Sequence, residues 1–199
     1  MAHGGEQQCT YSTYQWNVLD RKAVELRKIV KPFSELTAAE KDSKTGCSVC
    51  EEDQVTLTFA GLRAFKVCKF IAPRVQTTIA SLQRRQAPLL DVVGYRVGMT
   101  RGEIDRAGNR TVFSNHSFGV ALDINTNHNG LYENCVSFNS ACRLIKGGHW
   151  RPKSGDAKQA YSLTRDSMIV QEFKRNGFLW GGEIAGQQKD FMHFSPTGY

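Results

Sequence analysis

His116 and Asp123 stand seven positions apart in Ser114-Asn-His-Ser-Phe-Gly-Val-Ala-Leu-Asp123, a run otherwise made of small and apolar side chains. A histidine and a carboxylate so placed suit a metal site or an acid/base pair. From Gly119 to Asn125 the residues alternate, with Val120, Leu122 and Ile124 predicted on one face of a strand and Gly119, Ala121 and Asp123 on the other. The first set reads as core. The second leaves room around Asp123 for an ion or a substrate, and Gly119 can bend the backbone so that His116 converges on the same point. An unpaired carboxylate on such an apolar strand is costly to bury, and metal binding removes that cost. Near the C-terminus, the stretch from Trp180 to Phe194 supplies a further imidazole, His193. Two histidines and one carboxylate make the three-ligand set of a catalytic zinc site, with a fourth position left for water. Zinc held this way keeps a residual positive charge, suited to binding hydroxide and polarising a carbonyl. His3, His128 and His149 have no such company and read as ordinary surface or core histidines.

The pattern Ser114-x-His116-x-x-Gly119-x-Ala121-x-Asp123, followed by Asp190-x-x-His193, resembles the zinc peptidase family of D-alanyl-D-alanine carboxypeptidases and L-alanyl-D-glutamate peptidases, which shares its fold with Hedgehog signalling domains. Gly94-Tyr95-Arg96 resembles that family's upstream arginine motif, and the resemblance runs from about Val55 to Tyr199. It implies zinc on His116, Asp123 and His193. It also implies Asp190 as general base and then proton donor to the leaving amine, and Arg96 as a fixed cation for an oxyanion or a substrate carboxylate. Ser114, Tyr95 and Trp180 are the candidate substrate contacts. Many members carry Glu-x-x-His where this chain has Asp190-x-x-His193, so the base is one methylene shorter, as in the endopeptidase branch. Glu183 is the rival carboxylate, and the motif match favours Asp190. The implied activity is hydrolysis of peptidoglycan stem peptides by direct attack of water. The alternative is a noncatalytic zinc-scaffolded binding module, the use to which Hedgehog relatives put the fold.

The chain has 199 residues, 40% of them hydrophobic, enough for one well-buried core. We expect one domain, with residues 1–54 as an N-terminal helix and a cysteine-containing loop packed on a peptidase core at 55–199. No apolar run approaches the roughly 20 residues that cross a bilayer, and the first eight residues carry no signal pattern. That start reads as a vector remnant or as the mature end of a processed protein. The net charge of +7 favours an anionic partner, but the basic residues are scattered and form no recognisable nucleic-acid reader. The expected partner is the stem peptide rather than nucleic acid, and the expected state is a monomer. Six cysteines suit an oxidising compartment, periplasmic or extracellular. Cys135 and Cys142 are the simplest pair. Cys47-Ser-Val-Cys50 reads as two disulfide ends ahead of a redox pair or half a zinc site.

The elements that must position these residues follow from periodicity. Trp16, Leu19, Ala23, Leu26 and Val30 recur at helical steps, which predicts an amphipathic helix from Tyr14 to Val30. Lys31 to Asp53 reads as a disulfide-held loop, and Val55 to Phe59 as a strand. Pro73 opens a helix with Val75, Ile79 and Leu82 inward. Leu89 to Arg96 is β-rich, Gly98 to Thr111 a surface loop, and Leu131 to Pro152 an irregular excursion. Thr164 is expected to cap a helix that ends at Gly177, and Phe178 to Trp180 to return as a strand. Strands and helices without regular βαβ alternation predict an α+β domain on an antiparallel sheet with flanking helices, Hedgehog/DD-peptidase-like by the resemblance.

Overall fold

A computed structural model describes residues 7–153 and 157–199; His3 and the first residues of the chain lie outside the described part. In chain order the elements are β1 (Gln8–Asn17), β2 (Lys22–Pro32), β3 (Gln54–Leu57), β4 (Phe65–Cys68), α1 (Ala72–Arg84), β5 (Val92–Val93), β6 (Met99–Ile104), β7 (Arg110–Phe113) and β8 (Leu122–Ile124). There follow β9 (Gly130–Glu133), β10 (Arg143–Gly147), α2 (Met168–Arg175), β11 (Leu179–Trp180), β12 (Lys189–Asp190) and β13 (His193–Ser195). The strands form sheets ordered β2-β1-β6-β7, β11-β13-β8-β5 and β10-β9-β12, with β3-β4 as a separate ribbon. The fold is α+β, and all but one of the strand pairings are antiparallel.

The N-terminal helix is not formed. Gln8 to Pro32 is a β-hairpin, its strands paired from Gln8↔Pro32 to Asn17↔Lys22. The helical spacing is not a burial pattern, since Leu19, Leu26 and Val30 are exposed while Cys9 and Tyr11 point inward. A run rich in threonine and tyrosine suits a strand better than a helix. Gly98 to Thr111 is likewise no loop but the hairpin β6-β7, turned by Asp105, whose Oδ1 accepts from the amides of Ala107 (2.9 Å) and Asn109 (2.8 Å). The excursion from Leu131 contains the paired strands β9 and β10. Helix α2 starts at Met168 with Ser167 as its N-cap, because Thr164 is occupied in a preceding turn that takes the Ser167 amide at 3.0 Å.

Other expectations hold. Pro73 lies in the first turn of α1, whose Val75, Ile79 and Leu82 are fully buried. They join Leu122 and Ile124 of β8 and the ring cluster of Phe173, Phe178 and Phe194. Arg85 after α1 reaches Glu172 of α2 at 3.1 Å, tying the two helices. Gly177 ends α2 in the left-handed region at φ +77.

Three disulfides form: Cys9–Cys50, Cys47–Cys68 and the expected Cys135–Cys142. The two halves of Cys-x-x-Cys therefore staple the hairpin and β4 to one loop. Loop-closure entropy gives the 41-residue Cys9–Cys50 link about 4 kcal/mol and the 7-residue Cys135–Cys142 link about 2 kcal/mol. Among the described residues no helix is long and apolar enough to cross a membrane.

The hairpin is held a second way. Burial alone would push the Glu40 carboxyl up. Hydrogen bonds from Lys31 Nζ (2.7 Å), the Tyr11 hydroxyl, and the Thr37 amide (2.9 Å) and hydroxyl (2.8 Å) outweigh it. They hold Glu40 at about 2 against an ordinary 4.5. Glu40→Gln is expected to cost about 2 kcal/mol of stability, discounted because Lys31 approaches from the solvent side. The folded pKa is depressed, so this contribution is fully present above pH 4.5 and is lost as pH falls through about 2. Denaturant titrations of both proteins at neutral and strongly acidic pH measure it. A gap that does not shrink on acidification would exclude the carboxylate as its source.

Candidate metal centre

Three local devices bring the ligand-type residues together. His116 sits in a tight 3-10 turn (Asn115–Phe118) that Gly119 closes at φ +66. A Cβ on Gly119 would lie 2.6 Å from the Cys68 amide nitrogen, so the turn needs glycine there for space as well as conformation. Asp123 lies on β8 directly opposite His193 on β13, and opposed residues in an antiparallel pair share a face. Gly94-Tyr95-Arg96 threads between β4 and the His116 turn: the Tyr95 amide donates to Lys66 O (2.8 Å) and the Arg96 amide to His116 O (3.1 Å).

The resulting cluster is buried, with His116 and Asp123 each 3% exposed and His193 8%. Asp123 Oδ1 stands 3.0 Å from His116 Nε2 and 3.4 Å from His193 Nδ1, and one donor atom from each residue lies within 4.8 Å of the others. Arg96 Nη2 donates to the other oxygen, Asp123 Oδ2, at 3.0 Å.

The proton positions test whether a cation fits. His116 Nδ1 lies 2.8 Å from Gly94 O, which can only accept, so Nδ1 carries the proton. In a neutral ring Nε2 is then a bare lone pair facing a carboxylate oxygen. Burial drives His116 toward that neutral form, against the opposing pull of Asp123. Asp123, which burial alone would raise, is held well below the usual carboxylate range by the histidines. A cation between the rings and the carboxylate would satisfy the His116 lone pair, and His193 Nε2, buried with no hydrogen-bond partner, offers a second unsatisfied nitrogen. Two imidazoles and a carboxylate are a donor set suited to zinc. The other grouping of ligand-type residues among the described residues, Cys9, Cys50 and Glu52, has both sulfurs in a disulfide.

Asp190 occupies β12, in a different sheet from His193, and the chain crosses from one sheet to the other between them. Phe191 anchors the crossing, stacked on Trp150 with centroids 4.1 Å apart. The Asp190 carboxyl is pushed up to about 6, first by burial and then by the charge of Asp123, with His193, Lys146 and Arg96 opposing. Its Oδ1 is buried without a partner. Glu183 is engaged elsewhere, accepting from Lys174 Nζ at 2.8 Å and paired with Arg165 at 2.9 Å.

Of the candidate substrate contacts, Ser114 is buried at the start of the His116 turn, its Oγ 3.4 Å from Ser117 Oγ. Tyr95 spends its hydroxyl on Val49 O (2.7 Å). Trp180 is 3% exposed and donates its indole N–H to Phe191 O (2.9 Å), which makes it part of the packing under the crossing. The residue that sequence reasoning passed over is Lys146, counted only among scattered basic residues, whose charge is felt at Asp190. No spacing signal marks it, because a bulge in β10 sets its direction.

No curated protein and no solved structure matches the chain. Residues 107–196 match the model of a family described as D-alanyl-D-alanine carboxypeptidase, a span that holds His116, Asp123, Asp190 and His193 and leaves out Arg96. Over that segment the chain is similar to the D-alanyl-D-alanine carboxypeptidase family, which supports a peptidase of the carboxypeptidase type.

Proposed function

We propose that the protein is a zinc-dependent metallopeptidase that hydrolyses peptidoglycan stem peptides, with His116, Asp123 and His193 holding the metal. The observation that carries this reading is the bare Nε2 of His116 turned onto the buried Asp123 carboxylate. When bound, zinc supplies a Lewis acid that polarises the scissile carbonyl and makes water more acidic. The chain's own residues do the rest. Asp190, its carboxyl pushed up to about 6 and one oxygen unpartnered, takes the proton of the attacking water and passes it to the leaving amine. Arg96 fixes Asp123 by its hydrogen bond to Oδ2 and places a positive charge beside the reacting carbonyl. Water attacks directly, with no covalent enzyme intermediate.

The fold is read as Hedgehog/DD-peptidase-like, with the peptidase core at 55–199 and the preceding segment stapled to it by Cys47–Cys68 and paired to it through Gln15↔Met99. Three disulfides favour an oxidising setting, which we take to be periplasmic or extracellular, where the wall is the substrate. The bond is either the terminal D-alanyl-D-alanine bond or the L-alanyl-D-glutamate bond. Purified peptidoglycan, incubated with the protein before and after chelation, distinguishes them by the released fragment: free D-alanine or a peptide beginning with D-glutamate. A zinc-replete protein that releases neither would overturn the enzyme reading in favour of a binding module.

A further inference from the structure

Among the described residues, Lys146 is the one cation near the centre whose side chain has no partner. Arg96 is committed to Asp123 Oδ2, whereas Lys146 makes no ion pair or hydrogen bond among the described residues. Its position is set by strand register. Leu131 on β9 is opposed on one side by Lys146 of β10 and on the other by Asp190 of β12. Directly opposed residues point to the same face, so Lys146, Leu131 and Asp190 project together, while Tyr132, Leu144 and Lys189 project to the other side. The bulge between Leu144 and Lys146 decides this outcome. With regular pairing Ile145 would oppose Leu131; the extra residue puts the lysine there instead, the kind of re-aiming that bulges perform beside active sites.

The end of β10 is also pinned. The Gly148 amide donates to Thr126 O at 2.8 Å, and a Cβ on Gly148 would meet Asn127 O at 1.8 Å, so the strand runs tight against the turn that follows Asp123. The fields agree with the register. Although Lys146 is exposed as a residue, desolvation lowers its pKa, Arg96 lowers it further, and Asp123 and Asp190 act in the opposite direction. With a divalent ion on the triad, the ion, Arg96 and Lys146 outweigh the two aspartates, and the centre is net positive.

We propose that Lys146 is the carboxylate anchor of this site, its ammonium taking a free carboxylate of the peptide held between the β10-β9-β12 face and the His116–Asp123–His193 cluster. The assignment rests on the zinc peptidase reading above and narrows its substrate class to peptides that carry a carboxylate beside the scissile bond. That carboxylate has two sources, the C-terminus of a D-alanyl-D-alanine end or the α-carboxylate of a γ-linked D-glutamate.

Two pairs of synthetic peptides separate the sources. One is diacetyl-L-lysyl-D-alanyl-D-alanine as the acid and as the C-terminal amide. The other is L-alanyl-γ-D-glutamyl-L-lysine amide with the glutamate α-carboxyl free or amidated. In one pair the zinc-loaded protein is expected to favour the acid by on the order of 10- to 100-fold in KM, the range for a charge-assisted hydrogen bond. Lys146→Met is expected to erase that preference in KM while zinc content stays unchanged, and Lys146→Arg to retain most of it. A preference that survives Lys146→Met overturns the anchor. If the wild-type protein hydrolyses neither pair, the peptidase reading fails, and calorimetric binding of the same peptides still decides Lys146. Acid-selective binding lost in Lys146→Met supports the anchor, and equal affinity for acid and amide overturns it.

Discussion

His116→Ala and His193→Ala are each expected to strip the protein of its zinc and to abolish peptide hydrolysis, the largest effects of any single substitutions in the chain. Each removes one of three donor atoms that lie within 4.8 Å of one another. The loss of affinity should exceed the roughly 10- to 100-fold that follows removal of a mere supporting partner of a ligand. In His116→Ala the Gly94 carbonyl also loses its donor, so far-UV circular dichroism must accompany the metal measurement. Elemental analysis after exhaustive dialysis should find about one zinc per chain in the wild type and in His128→Ala, and almost none in the two variants. Full occupancy in both would remove the ligand assignment.

Asp190→Ala should fail differently. The carboxylate is proposed to handle protons and not to bind the ion, so zinc stays while turnover drops roughly 10²- to 10⁴-fold, the range for loss of a positioned general base. Glu183→Ala is the matched control, because it gives up only the pairs with Lys174 and Arg165. Its turnover should stay near wild type. An active Asp190→Ala beside a zinc-replete but dead Glu183→Ala would move the base to Glu183, and full activity in both would leave no carboxylate base in this segment.

The site was more legible than the scaffold around it. Ser114 to Asp123 encodes both the turn and the strand locally, so glycine conformation and side-chain alternation sufficed to predict that His116 and Asp123 converge. Helix α1 was equally readable, because Val75, Ile79 and Leu82 are buried at the spacing that announces them. The first hairpin was not. Its apolar residues fall at helical steps but face solvent, and the residues that do pack, Cys9 and Tyr11, draw their partners Cys50 and Glu40 from far along the chain. Arg21 holds the left-handed conformation at φ 53 near the turn, where a glycine or asparagine would have been recognisable. The choice between Asp190 and Glu183 hinges on ion pairs from Lys174 and Arg165, and the orientation of Lys146 on a bulge. Neither has a fixed sequence spacing.

The pairing of Asp123 with His193 also bears on the order in which the molecule assembles. These strand neighbours are separated in sequence by β9, β10, α2, β11 and β12, so the third candidate ligand arrives only after a long loop has closed, while His116 and Asp123 can meet early. A nascent chain thus offers a metal two donors at first and three only near the end of folding. On the proposed metal reading the ion would reward the native pairing and not a partly formed one, and metal affinity would contribute to that late, non-local step.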